Sequence, residues 1–161
     1  MLIETSKIKL ECLQTVKGNS TFKNIKGDLE RLLRVFEDEF KFKGVIELSL
    51  TLCGKMRIRS LNKDYRKKDK ITDVLSFPVH ENFRKGRFAG YVELGDIFIC
   101  QDVAKKQAQE FKITFREEIL HLFTHGFLHL LGYDHEISPR EEKKMFGLEK
   151  KLISKIGKKN G

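Results

Sequence analysis

Three histidines, His125, His129 and His135, fall in one stretch, residues 121–135, which reads His-Leu-Phe-Thr-His-Gly-Phe-Leu-His-Leu-Leu-Gly-Tyr-Asp-His. His125 and His129 are four apart, one turn along the same face of a helix. Two imidazoles so placed can grip one ion from one side. Gly132 suits the end of that helix, because glycine accepts the left-handed conformation that stops one. The chain can then turn back and bring His135 to the same ion. Three neutral imidazoles and a water make a catalytic zinc site with an open fourth position. The expected cofactor is one Zn²⁺ per chain, with His125, His129 and His135 as metal ligands. A lone histidine on an apolar helix is usually a hydrogen-bonded core residue, and His121 is read that way. Three at these spacings around a glycine are much harder to obtain by chance.

The spacing H-x-x-x-H-x-x-G-x-x-H is that of the metzincin proteases, with one difference. Those proteases carry glutamate directly after the first histidine, as general base. Here that residue is Gly126, which can neither take a proton nor bind metal. A zinc protease is therefore a rival reading that lacks its base. A second rival is a non-enzymatic protein with structural zinc. Closed structural sites use four protein ligands, usually including cysteine, and Cys12, Cys53 and Cys100 lie far from the histidines in sequence.

The elements that must position these histidines can be placed by periodicity. The histidine helix spans roughly residues 114–131 and is apolar nearly all round, which places it in the middle of the domain. Residues 7–13 alternate as a half-buried strand. Residues 17–20 read as a turn, with Ser20 or Thr21 capping the next helix. Phe22, Ile25, Leu29, Leu32, Leu33, Phe36 and Phe40 recur at three and four, an amphipathic helix in which Gly27 could separate off the early turns. Residues 45–52 alternate strongly, and a helix is expected from Lys55 to Arg66. Val74–Phe77 is a short strand closed by Pro78. Residues 80–95 read as a mobile basic loop, and Tyr91–Cys100 ends in an apolar strand. Asp102 could cap a helix to Phe111. Ser138-Pro139 followed by Glu141 and Glu142 starts a last helix, which frays into residues 157–161. The expectation is an α/β (α+β) fold over residues 1–161 as a single domain. One mixed sheet of about four strands packs with about five helices, the histidine helix at the centre.

Composition sets the bounds. A chain of 161 residues, 40% hydrophobic and 34% charged, is long enough for one sizeable core. It has no apolar run long enough to span a membrane and no secretory signal. The odd number of cysteines is no disulfide framework, so buried free thiols in strands and a reducing cytoplasm are expected. The net charge of +9 argues for an anionic partner, nucleic acid ahead of membrane.

Three stretches then stand together: Leu-Asn-Lys-Asp-Tyr-Arg-Lys-Lys-Asp-Lys-Ile-Thr-Asp-Val-Leu-Ser-Phe-Pro at 61–78, Leu-Gly-Asp-Ile-Phe-Ile-Cys at 94–100, and His-Gly-Phe-Leu-His-Leu-Leu-Gly-Tyr-Asp-His at 125–135. In this order they resemble the YbeY family of bacterial rRNA-maturation endoribonucleases. The resemblance covers about residues 50–157, with Glu142, Met145, Phe146 and Leu148 fitting the family's final helix, and reaches the first 45 residues only in layout. It implies a single-strand-specific, zinc-dependent endoribonuclease that matures the 3′ end of small-subunit rRNA and serves ribosome quality control. It also implies a mixed four-stranded sheet, the ribosome and assembly factors as partners, a metal site at His125, His129 and His135, and a functional arginine at Arg66. The loop at 80–92 is more basic than the family pattern suggests.

For that chemistry, bound zinc can lower the pKa of a water to about 7, or it can hold the phosphate while the RNA's own 2′-OH attacks. Arg66 can donate two parallel hydrogen bonds to a phosphate, which lysine cannot. Asp134 could orient an imidazole or simply close a turn. Asp73 and Ser76 could face the metal, with a structural role ranked slightly higher. The basic runs 55–70 and 140–159 could track an RNA backbone. Phe83, Phe88 and Tyr91 could stack on unpaired bases.

Overall fold

A computed structural model describes residues 1–17, 21–85 and 88–157, without the side chain of Lys85. The expected Ser20 cap, most of the turn at 17–20 and the last four residues of the fraying terminus lie outside the described residues.

The strands are β1 (Leu2–Glu4), β2 (Ile8–Gln14), β3 (Val45–Cys53), β4 (Val74–Pro78) and β5 (Tyr91–Cys100). They form one sheet in the order β1-β2-β3-β5-β4. The inner strands β2, β3 and β5 run parallel, and the edge strands β1 and β4 are antiparallel to their neighbours. The helices are α1 (Thr21–Phe40), α2 (Lys55–Arg66), α3 (Gln101–Phe111), α4 (Phe115–Leu130) and α5 (Pro139–Ser154). The sheet thus has five strands rather than about four. The added strand is β1, three residues long, too short for alternation to announce it. Its Ile3 is nonetheless buried.

Alternation dictates the layering. In β3, Ile46, Leu48, Leu50 and Leu52 are buried together with Ile8, Leu10 and Cys12 of β2. They join the apolar faces of α1 and α4 in the main core. Phe36 of α1 stacks on Phe127 of α4 at 4.2 Å between ring centroids. A smaller cluster of Cys53, Ile58, Leu61, Leu75 and Cys100 lies under α2. All three cysteines are buried and free, as expected. No helix among the described residues is long and apolar enough to cross a membrane.

Three local expectations are corrected. α1 runs through Gly27 without a break. α3 begins at Gln101, two residues earlier than a cap at Asp102 would allow, so Asp102 sits in its first turn. The stretch 80–95 is not all loop, because β5 starts at Tyr91 and Phe83 is buried in the core.

The pairing of β3 with β5 slips at one point: Glu47 opposes Glu93, and Leu48 opposes Gly95, so Leu94 is an extra residue. Gly95 carries φ +142, and a Cβ there would lie 2.3 Å from the Phe77 carbonyl oxygen and 2.9 Å from Leu130 Cδ2. Glycine therefore lets β5 close tightly on β4 and on the end of α4.

Glu37 of α1 clamps the β1–β2 turn. It accepts hydrogen bonds from Thr5 Oγ1, from Ser6 Oγ at 2.8 Å and from Lys7 N at 2.7 Å. Burial works to raise its pKa, but the hydrogen bonds from Thr5, Lys7 and Ser6 outweigh it and hold the carboxyl below its usual range. A folded-state pKa below the unfolded one adds stability above about pH 4.3, and that stability is lost as pH falls through the folded value. Glu37→Gln should therefore melt below wild type at pH 7, and the two melting temperatures should converge in acid. A gap that persists unchanged at low pH would show that the carboxylate charge contributes nothing.

Candidate metal centre

α4 begins at Thr114, whose side chain accepts from Glu117 N at 3.0 Å and satisfies one orphan donor of the helix start. It ends in a double hydrogen-bonded stop: Tyr133 N donates to Leu128 O at 3.0 Å and Gly132 N to His129 O at 3.0 Å. Gly132 takes φ +101, the left-handed turn expected of it. Arg84 N donates to Leu131 O, and the Arg84 guanidinium lies 4.0 Å from the Tyr133 ring centroid, so the loop at 81–84 braces this turn. Asp134 Oδ1 accepts from Glu136 N two residues on, at 2.8 Å. Of its two readings, the turn residue is the one the geometry carries.

This turn returns His135 to the face that bears His125 and His129. The ring centroids are 4.7 Å apart for His125–His129, 5.3 Å for His125–His135 and 5.2 Å for His129–His135. One nitrogen from each ring can be chosen so that all three lie within 4.8 Å of one another. His125 Nε2 and His129 Nε2 are 3.1 Å apart. Two nitrogens bound tetrahedrally to zinc at about 2.0–2.1 Å lie about 3.3 Å apart, so the pair fits that spacing. His135 Nδ1 is buried with no hydrogen-bond partner, a lone donor atom at the site. His129 is pushed down to about 4, by its burial first and then by the neighbouring His125 and His135. At neutral pH it is an uncharged imidazole, the form that can bind a cation. On donor chemistry, spacing and the orphaned nitrogen, this trio could hold a metal.

The trio lies in a cleft of about 760 Å³ whose walls include Arg66, Lys68, Lys70, Ser76 and Asn82. Arg66, the last residue of α2, donates from Nη2 to the Ser76 carbonyl oxygen of β4 at 2.9 Å. The bond anchors the guanidinium on the free side of an edge strand, over the cleft. Ser76 is buried and contributes that carbonyl. Asp73 receives Val74 N at 2.8 Å and Gln107 Nε2 at 3.3 Å, a structural role.

Other sequence candidates lie elsewhere. Phe83 stacks on Phe88 with centroids 4.8 Å apart and is largely buried. Tyr91 opposes Val45 in the sheet and bonds Glu47, away from that pair. None of the cysteines joins the histidines among the described residues. Gly126 faces the sheet, where a Cβ would lie 2.9 Å from Ile97 Cγ2.

The residue that sequence reasoning missed is Glu149 of α5. It is almost fully buried, and its Oε1 lies 2.5 Å from His125 Nδ1. Burial works to raise its pKa, but hydrogen bonds from His121 and His125 outweigh that and bring it to about 2. In sequence it is one of several acids on a lysine-rich helix, with nothing to mark it.

Comparison with known proteins places the chain in a family. The family described as Endoribonuclease YbeY matches residues 12–157. Endoribonuclease YbeY of Aquifex aeolicus (strain VF5) is 50% identical over 113 residues, 70% of this chain and 72% of that protein. The protein of the same name from Staphylococcus carnosus (strain TM300) is 45% identical over 131 residues, 80% of this chain and 84% of its own length. The solution structure of TM1509 from Thermotoga maritima superposes with a TM-score of 0.62 at 31% identity, covering 91% of this chain and 88% of that one.

Proposed function

We propose that this chain, which belongs to the YbeY endoribonuclease family, cleaves single-stranded RNA at a zinc ion held by His125, His129 and His135. Endonucleolytic hydrolysis of RNA is the chemistry of the family, and the chain is a hydrolase of that kind. The finer reading is that residues 1–161 act as one catalytic domain in the cytoplasm. There the protein matures the 3′ end of small-subunit rRNA and serves ribosome quality control, with the ribosome and its assembly factors as partners. The observation that carries the proposal is the convergence of three imidazoles and one anchored guanidinium on a single cleft.

Zinc at this site would supply a Lewis acid for a phosphoryl oxygen and make a nearby water more acidic. The protein's own part is positional. His129 is kept neutral by burial, so its lone pair stays available. The turn at Gly132 fixes where His135 returns. Arg66 has five N–H donors; the one on Ser76 O fixes the plane of the fork, and the others can meet the phosphate charge. Lys68 and Lys70 on the same rim favour a polyanion, with binding that weakens steeply as salt rises.

The test is cleavage of end-labelled single-stranded RNA by the purified protein as isolated, after chelation, and after zinc is returned. Cleavage should vanish and come back. A 2′,3′-cyclic phosphate on the earliest product would assign attack to the RNA's 2′-OH, and continued cleavage of RNA that carries a 2′-deoxy nucleotide at the scissile position would assign it to water. Equal cleavage before and after chelation, matched by a His125→Ala preparation, would overturn the proposal and point to a contaminating nuclease.

Arg66 gives a graded prediction. Arg66→Ala should lower kcat/KM by roughly 10²–10³, the scale of losing one charge-stabilising donor. Arg66→Lys keeps the charge and loses the fork, so it should recover only a minor part of that loss. Full activity of the lysine variant would reduce Arg66 to a general positive charge.

A further inference from the structure

We infer that Glu149 is a positioning residue for the metal centre. It sets which nitrogen of His125 faces the ion, and His121 and Glu118 hold it in place. The inference rests on the metal reading of the three histidines and adds a row of side chains behind them, its two carboxylates buried.

The row runs Glu118, His121, Glu149, His125. Glu118 Oε1 lies 3.2 Å from His121 Nδ1, His121 Nε2 lies 3.5 Å from Glu149 Oε2, and Glu149 Oε1 lies 2.5 Å from His125 Nδ1. Glu118 and Glu149 are 1% and 3% exposed, although carboxylates are seldom buried so fully without a purpose or a partner. α4 supplies three members at successive turns, and α5 supplies the fourth from across the helix pair. Each oxygen of Glu149 therefore has its own imidazole. Neither can be withdrawn without leaving a buried carboxylate oxygen unpaired.

The consequence for the site is a choice of tautomer. A neutral imidazole has one N–H and one lone pair, and the hydrogen bond made by one nitrogen decides the state of the other. A carboxylate only accepts. Glu149 therefore places the proton of His125 on Nδ1 and leaves the lone pair on Nε2, the atom that lies 3.1 Å from His129 Nε2. The same contact fixes the ring's rotation, so that Nε2 points to the shared centre. Asp134, the carboxylate that precedes His135, instead accepts from the Glu136 backbone. Carboxylates in this position typically change metal affinity by roughly 10–100-fold when removed.

The experiment is competition for zinc between the apo-protein and a chromophoric chelator, together with thermal melts of the apo-form and the zinc-loaded form, all without RNA. Glu149→Ala should bind zinc roughly 10–100-fold more weakly than wild type. Glu149→Gln, whose amide oxygen can still accept from His125, should recover part of the affinity. His121→Gln, at a side chain that is about half exposed, should fold normally and bind zinc several-fold more weakly. A purely structural Glu149 would lower the apo melting temperature and leave zinc affinity at the wild-type value, and that result overturns the inference. The His121→Gln measurement decides the matter should Glu149→Ala not fold, with wild-type affinity again overturning it. Failure of the wild type itself to bind zinc would instead remove the metal reading beneath it.

Discussion

His129→Ala should leave purification folded, hold almost no zinc, and cleave single-stranded RNA on the order of 10³-fold more slowly than wild type. That rate corresponds to losing about 4 kcal/mol of transition-state stabilisation at about 1.36 kcal/mol per decade. This imidazole is held in the uncharged form, since burial first and then its two neighbours push it down to about 4. One nitrogen from each ring lies within 4.8 Å of the others, and His135 Nδ1 is buried without a hydrogen-bond partner. Removing one ring relieves that close approach at the cost of a small cavity. The apo-variant should therefore melt close to the apo wild type. Zinc bound to the folded wild type would stabilise it by mass action, and the variant should show no such shift. Metal analysis, melting with and without zinc, and cleavage rate check the three parts separately. One zinc per chain at wild-type affinity in the variant, or an undiminished rate, would remove His129 from the site.

What can be read in the sequence is whatever depends on local spacing. His125 and His129 announce a shared face because the helix repeat is short and strict. Gly132 announces the stop because only the left-handed region permits the double hydrogen bond made there. Ser138 and Pro139 announce α5 in the same way, and Ser138 Oγ does accept from Glu141 N at 3.2 Å. What cannot be read depends on which helices cross. Glu149 meets His125 only because α5 packs on α4. Nothing in the pattern of lysines and glutamates on α5 distinguishes it from Glu141 or Glu142, which sit in the first turn. The Ser76 carbonyl is invisible for a different reason. It is a main-chain atom of an edge strand, and every residue has one. The aromatic residues Phe83, Phe88 and Tyr91 read as one group because they are close in sequence. The sheet separates them, since Tyr91 begins β5 while Phe83 turns into the core.

Gly126→Glu is the substitution that would restore the protease-like sequence, and it should abolish the fold rather than change the reaction. Set beside the protease spacing, position 126 is a missing base. Set against the sheet, it is a missing side chain. A Cβ there would lie 2.9 Å from Ile97 Cγ2 and 3.2 Å from Ile97 Cδ1 and Cγ1. Ile97 is fully buried and β-branched, so it has little freedom to move aside. It also opposes Ser76 in the pairing of β5 with β4. The close approach of α4 to the sheet at Gly126 therefore helps set how far the histidines stand from the carbonyl that anchors Arg66. Gly126→Ala should cost about 1–3 kcal/mol of overpacking, offset by about 1 kcal/mol of helix propensity. A soluble protein with a modestly lower melting temperature is expected. Glutamate adds a carboxylate buried against the sheet with no partner, and the sum should exceed about 4 kcal/mol, a large part of the roughly 5–15 kcal/mol that holds a typical domain together. Solubility, circular dichroism and melting of the two variants side by side make the measurement. A Gly126→Glu protein with wild-type melting would mean that α4 can shift or roll away from Ile97 and carry the new carboxylate toward the cleft. Peptide hydrolysis would then be the activity to assay. Collapse of the glutamate variant beside a folded alanine variant would show that this glycine serves helix–sheet contact, and through it the distance between the imidazoles and the guanidinium.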